Sequence, residues 1–236
     1  MIPAAVLLAS LVTALAFGAS PARASAYEDG LAAAYPGDDA TALRLWLPLA
    51  NQGDAKAQFS LGAMYYSGLG VRQDYEEAMK WYRLAATQGN AEAQLKLGAI
   101  YYSGSGAPQD YAEAMKWYRL AAAHGNAEAQ LKLGVMYYSG SGVPRDYSEA
   151  MKWYRLSAGQ GNAEAQLKLG SMYQERKGVT SNSVLSLMWF NLAAAQGIFE
   201  ASGFRDMVAA KMTAQQIAQA QELARRCEIS KYKDCS

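Results

Sequence analysis

Residues 90–125 read NAEAQLKLGAIYYSGSGAPQDYAEAMKWYRLAAAHG, and residues 126–161 repeat them with 28 of 36 positions identical. Weaker copies flank this pair. Trp46, Trp81, Trp117, Trp153 and Trp189 recur at steps of 35, 36, 36 and 36. A fixed period of this length marks a solenoid, whose units cannot bury their apolar faces alone and must lean on one another.

Each period divides into two helices. Asn90 comes after a glycine and suits an N-cap, Glu92 favours the positive end of the helix dipole, and the first helix (A) runs to about Tyr102. Gly104 and Gly106 break it, and Pro108 disfavours helix just before it. Asp110 with Glu113 three residues on resembles a capping box, opening a second helix (B) that reaches about Ala123 before a left-handed Gly125. The helical period puts Tyr111, Ala114, Tyr118 and Ala121 on one apolar stripe of helix B, opposite Lys116 and Arg119. On helix A it aligns Gln94, Leu97, Gly98 and Tyr101. A helical glycine costs about 1 kcal/mol against alanine, so its recurrence at 62, 98, 134 and 170 predicts close approach by a neighbouring helix. Glu92–Lys96, Glu128–Lys132 and Glu164–Lys168 have the spacing of favourable ion pairs. The fold class is all-α, built from stacked antiparallel helix pairs.

Outward from the repeats the pattern weakens. Residues 1–26 read as a signal peptide: an apolar run from Pro3 to Ala19, then Ala24-Ser25-Ala26 as a cleavage site, with Tyr27 first in the mature chain. No basic residue precedes the run, and a retained anchor is the competing reading, although the run is short and interrupted by Gly18. Residues 27–53 form N-terminal capping helices, a partial repeat in which Asp39 caps a helix carrying Leu43, Trp46 and Leu47. Residues 54–197 hold four full repeats. Residues 198–236 close the stack with capping helices, Thr213 and Gln216 opening the last one, and end in a cysteine tail.

With 51% hydrophobic residues, the 236-residue chain can bury a core, and its net charge of +1 lacks the basic excess that nucleic-acid binding requires. Cys227 and Cys235 lie eight apart; in an exported chain such a pair favours a disulfide, the alternative being two free thiols on a frayed tail. A single histidine, His124, argues against a zinc site, and its place in a turn is that of a solvated residue.

The pattern Ala-Glu-Ala-Gln-x-x-Leu-Gly-x-x-Tyr, then Gly-x-Gly and Asp-Tyr-x-Glu-Ala-x-x-Trp-Tyr-x-x-Ala-Ala, resembles the Sel-one-like repeat, a longer-loop relative of the tetratricopeptide repeat. Ala91, Leu97, Gly98, Tyr101, Gly104, Gly106, Asp110, Ala114, Trp117 and Ala121 carry it. The resemblance covers about residues 38–197 and implies a right-handed α-solenoid acting as a scaffold or adaptor. Bacterial members are often exported. Some cysteine-rich relatives are linked to β-lactam hydrolysis, but this chain lacks their cysteine pair in every repeat.

In such a solenoid helix A lines the concave surface, which makes its second stripe the candidate partner-binding site. Tyr66, Tyr102 and Tyr138 then stand in a row ending at Gln174, beside Leu95, Leu131 and Leu167, with Lys96, Lys132 and Lys168 at the rim. Tyrosine gives large contact area with few torsions to freeze. The competing reading packs these rings between repeats, with hydroxyls bonded to loop backbone. The tryptophans read as packing.

No catalytic residue, metal ligand or cofactor is expected. The nucleophile elbow, phosphate loop and HExxH motif are absent from the sequence. The expected partner is a protein or peptide, with neither nucleic acid nor stable membrane insertion after leader cleavage, and a monomer is favoured over end-to-end assembly. The expected location of the exported chain is the periplasm of a bacterial envelope or the secreted fraction. The alternative function is a cell-wall-associated enzyme or glycan-binding protein related to β-lactams or peptidoglycan.

Overall fold

The computed structural model describes residues 21–35, 37–233 and 235, and among them are twelve α-helices and no strand. Residues 1–20 of the expected leader lie outside the described residues. Helix α1 (Pro21–Ala34) crosses the expected cleavage point after Ala26 and packs on α2 (Asp39–Asn51). Four hairpins come next: α3 (Ala55–Ser67) with α4 (Tyr75–Thr87), α5 (Ala91–Ser103) with α6 (Tyr111–Ala123), α7 (Ala127–Ser139) with α8 (Tyr147–Ala158), and α9 (Ala163–Glu175) with α10 (Ser183–Ala195). Each second helix also packs on the first helix of the next hairpin, so the units stack in chain order as an α-solenoid. Then come α11 (Phe199–Ala209) and α12 (Ala214–Ile229), both resting on α10. No helix among the described residues is long and apolar enough to cross a membrane.

Short polar residues set the helix boundaries. The side chains of Asn90, Asn126 and Asn162 each accept from a backbone N–H three residues on, at 2.9 Å. The A helices end on left-handed glycines Gly68, Gly104 and Gly140, with φ of 77°, 76° and 82°. Where the fourth repeat has lost this glycine, Arg176 takes the same conformation at φ 60°. Two expectations shift. Helix α2 is capped by Asp38, which accepts from the Thr41 N–H at 3.1 Å, one residue before the expected Asp39. At Asp110 the capping box is half made. The carboxylate accepts from the Glu113 N–H, but the Asp110 N–H already donates to the Tyr101 carbonyl, and Glu113 turns to Lys116 instead. The reciprocal box forms at Thr213 and Gln216.

Aromatic rings seated on helical glycines hold each hairpin together. A Cβ added to Gly62, Gly98 or Gly134 would lie 2.5 Å from the ring of Tyr82, Tyr118 or Tyr154, and one on Gly170 would lie 2.6 Å from Phe190. The four rings are at most 1% exposed, and burying each stabilises the fold by about 1.5–3 kcal/mol. The close approach read from the glycine period is therefore the hairpin's own contact. Burial also pushes the phenols of Tyr82, Tyr118 and Tyr154 well above the usual tyrosine range.

A buried glutamine braces the open end of most hairpins. The Gln58 amide donates to the Ala50 carbonyl of the preceding unit at 3.1 Å, and its oxygen accepts from Gln88 at 2.7 Å. Gln130 and Gln166 accept from Gln160 and Gln196 in the same way. In the second repeat His124 replaces the donor, and the buried Gln94 oxygen has no partner among the described residues. Arginines stitch one hairpin to the next: Arg83, Arg119 and Arg155 donate to the hydroxyls of Tyr101, Tyr137 and Tyr173 at 2.7, 2.8 and 2.7 Å. Trp46, Trp81 and Trp189 are buried and Trp117 and Trp153 half-buried, so the tryptophans pack as read. Among the described residues the indole N–H groups of Trp81, Trp117 and Trp153 have no hydrogen-bond partner, whereas that of Trp46 donates to the Tyr27 carbonyl.

Cys227 and Cys235 are joined in a disulfide, and Cys227 is fully buried. The tail beyond α12 turns back on the stack, where the Tyr232 ring covers Gly161.

Candidate functional site

A furrow runs along the A helices across three repeats. It consists of three adjoining hollows of about 110, 390 and 450 Å³ that share Tyr66 and Ala99, then Val135 and Lys168. Tyr102 and Tyr118 line the middle hollow, and Tyr138 and Tyr154 the last, where Glu200 and Phe204 of α11 close the end. The spacing of one A helix per period thus brings most of the sequence candidates to one surface.

The tyrosine row combines packing with free polar tips. Tyr66 sits edge-on to Tyr75 at 5.2 Å between ring centres, Tyr102 to Tyr111 at 5.3 Å, and Tyr138 to Tyr147 at 5.2 Å. All three row members are half-buried. Among the described residues the hydroxyls of Tyr66 and Tyr102 make no hydrogen bond, in contrast to the loop-bonded alternative. Tyr138 differs, because its hydroxyl accepts from Lys177 at 2.6 Å. Lys177 also pairs with Glu175 at 2.6 Å and lies 4.9 Å from the Tyr138 ring centre. Its hydrogen bonds to Glu175 and Tyr138 keep the ammonium charged well beyond the ordinary lysine range.

The rim lysines are not equivalent. Lys132 is paired with Glu128 at 2.8 Å, while Lys96 and Lys168 have no ion-pair partner among the described residues. Glu92 accepts from Asn126 of the next repeat at 2.8 Å instead of meeting Lys96. Of the three pairs expected at i,i+4 spacing, one therefore forms.

The leucines part from the surface. Leu131 is 0% exposed and belongs to one buried cluster with Leu167 and Leu169; Leu167 is 7% exposed, and Leu95 is half-buried against the cluster around Leu133. Leu131 of α7 is buried together with Tyr154 of its own hairpin and Leu167 of the following one, so its side chain belongs to the interior between those units. Leu131 is thus removed from the accessible site, while Leu167 contributes only at the wall of the last hollow. Sequence reasoning missed the second tyrosine set, Tyr82, Tyr118 and Tyr154, whose edges line the furrow from beneath. Their recurrence at 36-residue spacing on the core stripe was the signal.

Chemically, the furrow presents ring edges, unpaired hydroxyls and ammonium groups. Among the described residues no three His, Cys, Asp or Glu side chains gather as a metal site would require.

Helix pairs stacked in chain order, with a furrow along their first helices, define a helical-hairpin solenoid. The Sel1 repeat model matches residues 22–54, 55–90, 91–126, 127–162 and 163–198, and the chain belongs to the Sel1 repeat family. The first match takes in α1 and α2, which the sequence presented as a partial repeat. Proteins built from this repeat are generally protein-interaction scaffolds. A protective antigen present in uropathogenic Escherichia coli strains, with the same repeat fold, is 33% identical at a TM-score of 0.77. That match covers 90% of this chain but 47% of the antigen, so the chain spans about half the antigen's length. A Sel1 repeat protein from Oxalobacter formigenes is 34% identical at a TM-score of 0.71, covering 78% of this chain and 76% of its own. Among curated proteins none matches the chain.

Proposed function

We propose that the chain is an exported, monomeric, non-catalytic scaffold that holds an extended segment of a partner protein in the concave furrow of its A helices. The observation that carries this reading is the repetition of unpaired groups along one continuous hollow. Among the described residues Tyr66 and Tyr102, one 36-residue period apart, present hydroxyls without a hydrogen bond, and Lys96 and Lys168, two periods apart, present ammonium groups without an ion pair. An extended backbone exposes carbonyls at regular intervals, and such donors can meet them without reading each side chain. Export is supported by the apolar leader in the sequence and by the Cys227–Cys235 bridge, which suits an oxidising compartment.

The test is capture from envelope extract by the immobilised protein, compared with a variant carrying Tyr102→Ala and Tyr138→Ala. Loss of two aromatic anchors is expected to reduce partner recovery on the order of tenfold. Equal recovery by both proteins, with the helical content of the variant intact, would falsify the furrow as the binding surface.

A further inference from the structure

The disulfide-closed tail builds a second cavity, outside the furrow. Its volume is about 290 Å³, and Arg155, Tyr173, Leu185, Trp189, Tyr232 and Lys233 line it, with Cys235 at its edge. We infer that this cavity is a binding site for a small aromatic carboxylate.

Its walls have a definite chemistry. Tyr173 and Trp189, each 5% exposed, and Tyr232 supply ring surface for a flat apolar body. Two cations stand beside these rings, and among the described residues neither Arg155 nor Lys233 has a carboxylate partner. Arg155 uses one N–H on the Tyr173 hydroxyl at 2.7 Å, which orients the guanidinium and leaves its other donors available. Trp189 adds an indole N–H with no hydrogen-bond partner among the described residues. An apolar cavity edged by cations that have no carboxylate partner among the described residues favours an anion whose remainder is apolar. With each liquid water occupying about 30 Å³, the space suits roughly ten non-hydrogen atoms, the size of a one- or two-ring carboxylate.

The cavity depends on a local device that the earlier repeats lack. Arg83 with Tyr101, and Arg119 with Tyr137, form the same stitch, and the next tryptophans along the chain, Trp117 and Trp153, have their indole N–H groups buried. Only at the last stitch does the tail come back over the surface. Lys231 and Tyr232 hold left-handed backbone at φ 54° and 64°, a conformation uncommon for residues with side chains. The Tyr232 N–H donates to the Cys227 carbonyl at 2.8 Å, and the Tyr232 ring settles on Gly161, whose missing side chain makes room for it. Two unfavourable backbone conformations in succession persist where the surroundings over-determine them. Here the disulfide and the ring contact do so, and they keep Tyr232 and Lys233 over the cavity.

The test is calorimetric titration of the oxidised full chain with 2-naphthoate. One saturable site is expected. The neutral 2-naphthamide is expected to bind at least about tenfold more weakly, and Lys233→Glu, a change at an exposed residue, to weaken naphthoate binding by about tenfold or more. Reducing the disulfide, in protein whose helical circular dichroism is retained, is expected to abolish binding; the Cys227→Ser, Cys235→Ser variant serves as a second route to the open tail. The inference is overturned by failure of naphthoate to saturate the oxidised chain, by equal affinity for the amide, by unchanged affinity in Lys233→Glu, or by binding that survives loss of the bridge. It does not rest on the furrow reading, and neither result decides the other.

Discussion

Replacing His124 by glutamine is expected to stabilise the protein, and the brace at the hairpin ends gives the size of the effect. In the first, third and fourth repeats a glutamine after the B helix donates to a buried glutamine oxygen at 2.7, 2.8 and 2.9 Å. In the second repeat the Gln94 oxygen is buried without a donor, and Gln94 is 3% exposed, so water does not substitute freely. An unsatisfied buried acceptor costs about 1–3 kcal/mol, and a restored hydrogen bond contributes a net of about 0.5–1.5 kcal/mol. Since His124 is exposed, its removal sacrifices little packing. A gain of about 1 kcal/mol is therefore expected in His124→Gln, read as a higher urea midpoint by far-ultraviolet circular dichroism at neutral pH. In a chain of this size it corresponds to a rise of about 2–4 °C in Tm. Gln160→His, which removes the donor from the third repeat, should lower the midpoint by a similar amount. If His124→Gln leaves the midpoint unchanged while Gln160→His lowers it, the orphaned oxygen is not the cause. If both are neutral, the brace contributes nothing measurable.

Three further outcomes are expected from the same contacts. Gly98→Ala places a methyl group 2.5 Å from the Tyr118 ring, so overpacking of about 1–3 kcal/mol should outweigh the helix-propensity gain of up to about 1 kcal/mol and lower the thermal midpoint; a rise would refute the ring-on-glycine contact. Arg176→Gly relieves a left-handed backbone in a residue with a side chain and restores the glycine of the other repeats, with an expected gain of about 0.5–1 kcal/mol in urea unfolding. Burial raises the folded-state pKa of Tyr82, Tyr118 and Tyr154, so their contribution is fully present below the unfolded value near 10 and is lost as pH climbs above it. Ultraviolet titration should find the last phenolates appearing only together with unfolding, and early ionisation of every tyrosine in folded protein would contradict the burial.

The period, the two helices per unit and their glycine punctuation were legible because they rest on local rules: Asn90 caps the helix it precedes, and Gly104 can adopt the backbone that ends a helix. The tyrosine row was legible for the same reason, since a 36-residue step returns each residue to the same face. The features that escaped depended on competition from distant residues. Glu92 meets Asn126, 34 positions away, and not Lys96, whereas the corresponding Glu128 accepts from Asn162 and still pairs with Lys132. The box at Asp110 fails because Tyr101 already occupies its N–H. Leu131 looked like a surface neighbour of Tyr138 until the following unit covered it. The brace was visible only as a recurring glutamine, because its donor lies 30 residues downstream.

The glycine socket and the ring that fills it lie inside the same 36-residue unit, and the second and third units are nearly the same text. A whole unit gained or lost in the gene therefore carries its own socket and ring with it, and the hairpins on either side meet a surface they already fit. Chain length is in this sense a freely adjustable variable: recombination between like copies lengthens or shortens the furrow by one step while every remaining joint stays filled.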